Sequence, residues 1–268
     1  MAGAAARGLT AVSSTARTMP LLSPLAKGMA GGEYCLIWLS TGSPTDQRAD
    51  DADLLCFDTA VLDVPVEILG APVVELTLSS DRLTALIAIR LCNAAPNGES
   101  SRVTFGVLNL THRQDHADSA PLVPGKTVRV TIKLDDIGYC FPAGHRIRFA
   151  IFSSYWPLLW PSSERATLNM LTGESLLTLP ERPRQAEGFA PKFATSETAI
   201  PLHQEILRPS DNKWTITTDV ETGWVEIRIE DDFGKAKNLE QGLITGGMGR
   251  ELDIINPDDP LSARSRTH

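Results

Sequence analysis

The 268-residue chain is acidic, with 33 Asp and Glu residues against 25 Lys and Arg residues and a formal net charge of −8. Because phosphate binding depends on clustered Lys and Arg, this balance excludes nucleic acid as the main partner. Hydrophobic residues make up 42% of the chain, enough for a packed core, and no uncharged apolar run reaches the ~18 residues that a transmembrane helix needs. The composition predicts a soluble globular protein without a membrane span, and we expect it in the cytoplasm.

The first 32 residues contain three basic residues and no acid, and they are rich in Ala, Ser, Thr and Gly. This composition is similar to that of an organellar transit peptide. However, the segment has poor periodicity and is broken at Pro20 and Pro24, which favours a disordered leader. We therefore predict that residues 1–32 are a disordered leader.

The central part of the chain alternates apolar and polar residues at a period of two, which is typical of half-buried β-strands. Turn-forming residues such as Pro96-Asn97-Gly98 and Pro142-Ala143-Gly144 separate the alternating segments. The segments are 74–78, 87–91, 103–107, 128–134 and 147–151. Several short strands without helical periodicity between them predict an all-β fold, a jelly-roll β-sandwich over residues 33–184.

A second β region lies near the C-terminus. Two strand-like segments, Trp214–Thr218 and Trp224–Ile229, flank the turn sequence Glu221-Thr222-Gly223, and this arrangement predicts a β-hairpin. The eight acids and three bases of residues 230–259 indicate a solvated, weakly packed tail. We predict that residues 185–268 are a linker followed by a β-containing C-terminal extension.

The four cysteines, at positions 35, 56, 92 and 140, form no Cys-x-x-Cys pair. Each lies in or beside an apolar stretch, and a domain of this size does not need disulfides for stability. We therefore predict four reduced, packed thiols rather than a disulfide framework or a metal site.

The motifs of common catalytic sites are absent from the sequence. It has no Gly-x-Ser-x-Gly elbow, no phosphate-binding loop and no Gly-x-Gly-x-x-Gly fingerprint. His112 and His116 have the spacing of metal ligands on a helix, but they follow a strand and enter a loop. We predict no catalytic residue, no metal and no cofactor.

Two places in the sequence are candidate sites. The loop 153–161 contains Tyr155, Trp156 and Trp160 and two Trp-Pro pairs, an apolar set that is costly to leave in water. Its aromatics could line a ligand pocket, dock against another domain, or close the end of the sandwich. His145 begins an apolar strand, and we predict that it is a buried hydrogen-bonding anchor rather than a catalytic base.

An ordered set of short motifs resembles the C-terminal domain of the CocE/NonD hydrolases, relatives of the X-Pro dipeptidyl-peptidases. The motifs are Asp46-Gln47-Arg48, Asp53–Phe57, Val66–Gly70, Asn97-Gly98, Leu110–Arg113, Pro121–Gly125, Gly144–Arg148 and Tyr155-Trp156-Pro157. Residues 258–263 are similar to an extension in longer members. The resemblance implies a galactose-binding-like jelly roll, and it implies that the serine triad belongs to an α/β-hydrolase domain that precedes this region.

The resemblance implies a non-catalytic accessory domain that packs on a hydrolase domain and shapes its pocket for an ester or amide substrate. We expect Trp38, Tyr155, Trp156 and Trp160 at the domain interface or the pocket wall. Two alternatives remain: a stand-alone ligand- or carbohydrate-binding module, whose surface aromatics would stack on the ligand, and a small independent esterase. We also expect that an unpaired sheet edge makes the protein a homo-oligomer.

Overall fold

A computed structural model describes residues 6–10, 17–32, 43–52, 54–182 and 192–268, and almost all regular structure in these ranges is β. The strands are β1 (Ala6–Thr10), β2 (Thr18–Leu21), β3 (Leu55–Asp58), β4 (Val66–Gly70), β5 (Val73–Ser80), β6 (Leu86–Ala94), β7 (Ser100–Asn109), β8 (Val128–Lys133), β9 (Ile137–Phe141), β10 (Arg146–Phe152), β11 (Leu168–Leu171), β12 (Leu176–Pro180), β13 (Gln204–Arg208), β14 (Asp211–Thr218), β15 (Val225–Asn238), β16 (Ile244–Asn256) and β17 (Asp259–Thr267). The helices are the single turn α1 (Arg48–Asp51) and 3₁₀ turns at Met29–Gly31, Leu110–His112 and Thr172–Glu174. None of the helices in these ranges has the length and apolar character needed to cross a membrane.

Two antiparallel sheets form the sandwich. In the first, β5 lies between β8 on one side and β11 and β12 on the other, and these two strands pair in turn with β2 and β1. The second has the order β3-β10-β6-β7, and β4 and β9 form a separate two-stranded sheet. Each of the five segments predicted from alternation overlaps an observed strand, so the prediction of an all-β sandwich is confirmed.

The main core lies between the two sheets. It contains the alternate apolar residues of β5, including Val74 and Leu76, packed with Ile147 and Ile151 of β10. Because successive residues of a strand point to opposite faces of the sheet, only every second residue faces this core, and the sequence therefore shows a period of two. Strand β6 is different, since all nine of its residues are buried. Its outer face is covered by a third layer, formed by α1 with the residues around it and by the loop 153–161.

The prediction of a disordered leader is wrong for residues 17–32, which belong to the sandwich. Strand β2 pairs with β11, and Leu21 is in the main core. Ser23 and Ser153 each donate a backbone N–H to the other's hydroxyl, at 2.8 and 3.0 Å. Pro20 is tolerated because β2 pairs along one side, and a sheet edge does not need its missing N–H. The pairing partners of β2 and of Ser23 lie more than 100 residues away, beyond the reach of local composition.

The C-terminal extension is a separate antiparallel sheet with β13 and β14 beside β15, followed by β16 and β17. The predicted hairpin is confirmed, because β14 and β15 pair from Thr218↔Val225 to Trp214↔Ile229. In its turn, hydrogen bonds from the backbone N–H groups of Thr222 and Glu221 hold the pKa of Asp219 below its ordinary value.

The prediction of a weakly packed tail over residues 230–259 is wrong. Most of this segment lies in β15 and β16, the longest strands of the extension, and Ile255 is fully buried. The acids are tolerated because neighbouring strands offer partners, as in the Arg208–Asp232 ion pair. Residues 244–249 of β16 pair only with β15 among the described strands, and the homo-oligomer expected from an unpaired edge stays a prediction.

Candidate functional site

The structure divides the aromatic residues of the loop 153–161 into two groups. Tyr155 and Trp156 are 1% and 0% exposed, whereas Trp160 is 53% exposed. Trp38, the fourth candidate, lies outside the described residues. Tyr155 and Trp156 are therefore internal anchors of this chain. Of the three candidates that the structure describes, Trp160 is the one that is exposed to solvent.

Tyr155 fixes the loop to the outer face of the second sheet. Its ring packs edge-on against Phe152, with centroids 5.1 Å apart, and stacks on Phe105 at 6.0 Å. On its other side it contacts the turn around residues 28–31. A Cβ atom at Gly28, where φ is 111°, would lie 2.8 Å from the ring, and one at Gly31 would lie 2.6 Å from the phenol oxygen. These positions require glycine, because any side chain would separate the turn from Tyr155.

Trp156 joins the sandwich to the C-terminal extension. It belongs to a cluster that contains Leu25 together with Val225, Ile227 and Ile255 from the extension. The backbone N–H of Trp156 donates to the Lys27 carbonyl at 2.9 Å, which fixes the start of the turn. The expected interface at Trp156 is therefore occupied by a segment of the same chain.

Trp160 is the exposed aromatic residue of the loop, and the residue that follows it lines a small surface cleft. Pro161 and Leu22 line this cleft, and Leu22 is also exposed. The rest of the lining is mixed and includes Ser153, Glu164 and Arg165. The segments that carry Trp160 and Leu22 are held by the pairing of β2 with β11 and by the buried side chains of Tyr155 and Trp156.

His145 lies at the start of β10 and is half-buried. Its Nδ1 is 2.9 Å from Oδ1 of Asn93, and its backbone carbonyl accepts a hydrogen bond from Leu62 at 2.8 Å. Burial raises the pKa of the neighbouring Tyr139, and a hydrogen bond from Asn93 opposes this shift. These contacts suit a structural anchor, and that role for His145 stays a prediction.

A buried ionic network on the outer face of β6 was not predicted. The guanidinium of Arg90 is fully buried and donates hydrogen bonds to Gln47 and Asp51, and it lies 3.5 Å from the Asp50 carboxylate. The ring of Phe152 covers it, with its centroid 4.6 Å from the guanidinium carbon. A fully buried guanidinium is stable only when hydrogen-bond acceptors and opposite charges such as these surround it.

Further contacts connect this network to the rest of the domain. The Asp51 carboxylate also accepts from Arg148 at 3.1 Å, and Arg148 forms two 2.8 Å bonds with Asp58. The hydrogen bonds that Arg148 donates to Asp58 are the main reason that the pKa of Arg148 is raised. Gln47 donates to the Ala30 carbonyl at 2.6 Å. The network therefore ties α1 and the 28–31 turn to the second sheet.

One signal in the sequence could have revealed this network. Arg90 interrupts the apolar run Leu86–Leu91, in which every neighbour is hydrophobic. A charged residue at such a position requires a buried partner of opposite charge. The Asp46-Gln47-Arg48 motif and the acids that follow it supply that partner, although nothing in the spacing identifies it.

The three described cysteines are free thiols, but they differ in burial. Burial raises the pKa of Cys92 to about 11 and that of the half-buried Cys56 to about 12. Cys140 is exposed, so the prediction that all of these thiols are packed is wrong for this residue. It lies at an outward position of β9. Cys35 is outside the described residues.

Buried Cys92 is expected to make the domain sensitive to alkaline pH. Its thiol keeps its proton in the folded state up to about pH 11, whereas in the unfolded state it loses it near pH 9.0. The stabilisation is thus complete below pH 9 and is lost as the pH rises towards 11, at about 1.4 kcal/mol per pH unit. Urea unfolding between pH 8 and 11 should show a shallower decline for Cys92→Ala than for the wild type. Exposed Cys140→Ala serves as the control and should retain the wild-type slope; equal slopes for all three proteins would contradict the prediction.

Two solved structures share the fold of the sandwich. An alpha-amino acid ester hydrolase matches with a TM-score of 0.56 and 21% identity, covering 64% of this chain and 33% of that chain. An aminopeptidase from a marine-sediment Thaumarchaeota archaeon matches with a TM-score of 0.56 and 20% identity, covering 65% and 36%. At these identities the matches show the fold alone.

Sequence relatives cover a shorter part of the chain. A protein named as a serine esterase from Mycobacterium bovis is 34% identical over 123 residues, 40% of this chain and 20% of the relative. The cocaine esterase of a Rhodococcus species is 29% identical over 116 residues, 42% of this chain and 20% of the relative. The match therefore spans a fifth of the length of each of these relatives.

The family model of the X-Pro dipeptidyl-peptidase C-terminal non-catalytic domain matches residues 4–192, well over half of the chain. Its span includes β1, β2 and the whole sandwich, in agreement with the ordered position of residues 17–32. The resemblance to CocE/NonD hydrolases drawn from the motifs is confirmed. The chain belongs to the X-Pro dipeptidyl-peptidase C-terminal non-catalytic domain family.

Proposed function

We propose that this domain packs on an α/β-hydrolase domain of the CocE/NonD type and shapes the pocket in which an ester or amide is cleaved. The match of residues 4–192 to a domain described as non-catalytic carries this proposal. The esterase relatives support it, because the matched region is only a fifth of each of them. The nucleophile, the base and the oxyanion hole would then come from outside these 268 residues, in the same polypeptide or in a partner chain.

We further propose that Trp160 and Leu22 form part of the contact with the hydrolase domain. Their exposed apolar side chains lie on segments that the fold holds in place, and a large aromatic side chain contributes strongly to an interface when a partner excludes water from it. Trp38 is proposed for the same surface on the sequence resemblance alone. Tyr155 and Trp156 act indirectly, because they hold the loop that carries Trp160.

The proposal is tested by grafting this chain in place of the matched fifth of the Mycobacterium bovis esterase and measuring p-nitrophenyl ester hydrolysis. We expect an active chimera, and an isolated chain that hydrolyses nothing. Trp160→Ala should lower kcat/KM of the chimera about tenfold, since losing an interface aromatic costs roughly 1–2 kcal/mol. Exposed Leu261→Ala, on the extension, is the matched control and should leave the rate unchanged.

Two results would favour the other functions. Hydrolysis by the isolated chain that a serine-reactive phosphonate abolishes would indicate an independent esterase. Saturable quenching of tryptophan fluorescence by sugars, lost in Trp160→Ala, would indicate a carbohydrate-binding module. If the chimera has the same activity with and without Trp160→Ala, Trp160 does not belong to the contact surface.

We also propose a cytoplasmic location. The free thiols of Cys56, Cys92 and Cys140 support it, because reduced cysteines are typical of compartments that hold thiols in the reduced state.

A further inference from the structure

A cavity of about 310 Å³ opens between the two sheets of the sandwich, where β3 faces β11 and β12. Its walls are mainly apolar and include Leu76, Ile147 and Met170, which are almost completely buried, so the cavity reaches into the main core. The half-buried ring of Phe57 and the side chain of Leu177 line its outer part. An apolar cavity of this size falls in the range of small-molecule sites.

The polar side chains that line the cavity already form hydrogen bonds with other groups of the protein. The Asp58 carboxylate is held by Arg148 through two 2.8 Å bonds. Thr59 accepts from a backbone N–H of β10 at 3.1 Å, and Ser175 donates to a carbonyl of β11 at 3.0 Å. Thr172 accepts from the backbone N–H of residue 17 at 3.3 Å. Among the residues that the structure describes, the lining contains no Lys or Arg, and its one carboxylate is already paired with Arg148.

We propose that this inter-sheet cavity binds an uncharged apolar molecule of the size of a short-chain alkylbenzene. An apolar cavity of about half this volume is enough to hold benzene, so a ring with a short alkyl chain matches the space. The driving force is the burial of the ligand's apolar surface against the core side chains. An anionic analogue is disfavoured, because its carboxylate would have to leave water for a mainly apolar space. This site belongs to the sandwich itself and does not rest on the proposed function.

Methionine methyl signals provide a readout at the cavity. The chain has five methionines; Met170 lines the cavity, and exposed Met248 lies on β16 of the extension. With [¹³C-methyl]methionine protein, we expect propylbenzene to shift the Met170 signal saturably and to leave Met248 in place. The charged counterpart 4-propylbenzoate should bind at least tenfold more weakly. An unmoved Met170 signal, parallel unsaturated shifts of both signals, or equal affinity for the two compounds would overturn the proposal.

A matched pair of leucine substitutions locates the binding. Leu177 lines the cavity, whereas half-buried Leu171 on the neighbouring strand β11 does not. Leu177→Trp should fill the cavity and weaken propylbenzene binding at least tenfold, and Leu171→Trp should retain wild-type binding. If Leu177→Trp does not fold, Ala60→Trp tests the same space from the exposed mouth. Wild-type affinity in a folded cavity variant would place the ligand elsewhere and overturn the proposal.

Discussion

Replacing Arg90 by methionine is expected to destabilise the domain by about 3–5 kcal/mol. Methionine keeps the length of the side chain but removes the charge that neutralises Asp50 and Asp51, both of which are buried. Asp51 would keep its bond from Arg148 and Asp50 its bond from the Ala30 N–H, but both buried acids would lose the guanidinium that faces them. The Gln47 amide oxygen would lose its donor in the same dry layer. Urea unfolding followed by circular dichroism should show this loss as a lower midpoint with an unchanged slope.

An exposed arginine in the same sandwich provides the control for this experiment. Arg129 on β8 pairs with Glu75 at 3.2 Å and is well exposed, so Arg129→Met should cost less than about 1 kcal/mol. The double variant of Arg90→Met with Asp51→Asn should lose less stability than the sum of the losses in the two single variants. Each single substitution leaves one charge without its partner, whereas the double variant removes both charges. Additive effects, or similar losses for Arg90→Met and Arg129→Met, would contradict the role of the network.

Trp156→Ala is expected to destabilise the protein by about 3–5 kcal/mol, as large-to-small substitutions in a core do. The effect should be largest at the contact between the sandwich and the extension, because Trp156 packs there against Val225, Ile227 and Ile255. Limited proteolysis should therefore cut within residues 192–268 much earlier in the variant, and urea unfolding should give the total loss.

Trp160→Ala is the matched control, since it removes the same side chain from the same loop at an exposed position. Its free energy of unfolding should stay within about 1 kcal/mol of the wild type. If Trp156→Ala were equally mild, or if the extension kept its protection, the aromatic contact would not be what holds the extension in place.

Local sequence patterns were sufficient for five strands of the sandwich. Alternation identified segments of β5, β6, β7, β8 and β10 because apolar residues that face the core recur at every second position. In β6 these residues are Ile87, Ile89 and Leu91, although the residues between them are buried as well. The β14–β15 hairpin was also predictable, since its turn depends on neighbours such as Asp219 and Gly223. In these cases the structure is decided by residues close together in the chain.

The site could be predicted only in part, because its contacts join distant segments. The sequence placed Tyr155, Trp156 and Trp160 in one loop but could not tell which side chains point inward. That division depends on β15 and β16, about 70 to 100 residues further on. Residues 17–32 were mistaken for a leader for the same reason, since their order comes from pairing with β11. The family resemblance supports the proposed function, which these residues alone would not have indicated.

The double burial of β6 has a consequence for the way the domain opens. This strand is hydrogen-bonded along one edge to β10 and along the other to β7, and it is covered on both faces. To expose its backbone to water, the chain must break two strand pairings, the main core and the Arg90 layer at once. We therefore expect amide hydrogens of β6 to exchange with solvent only when the whole sandwich unfolds, and those of the edge strands β2 and β3 to exchange through separate local opening. We expect β6 to be the last strand of the sandwich to open. The layer that contains Tyr155 contributes to the protection of its amide hydrogens from exchange.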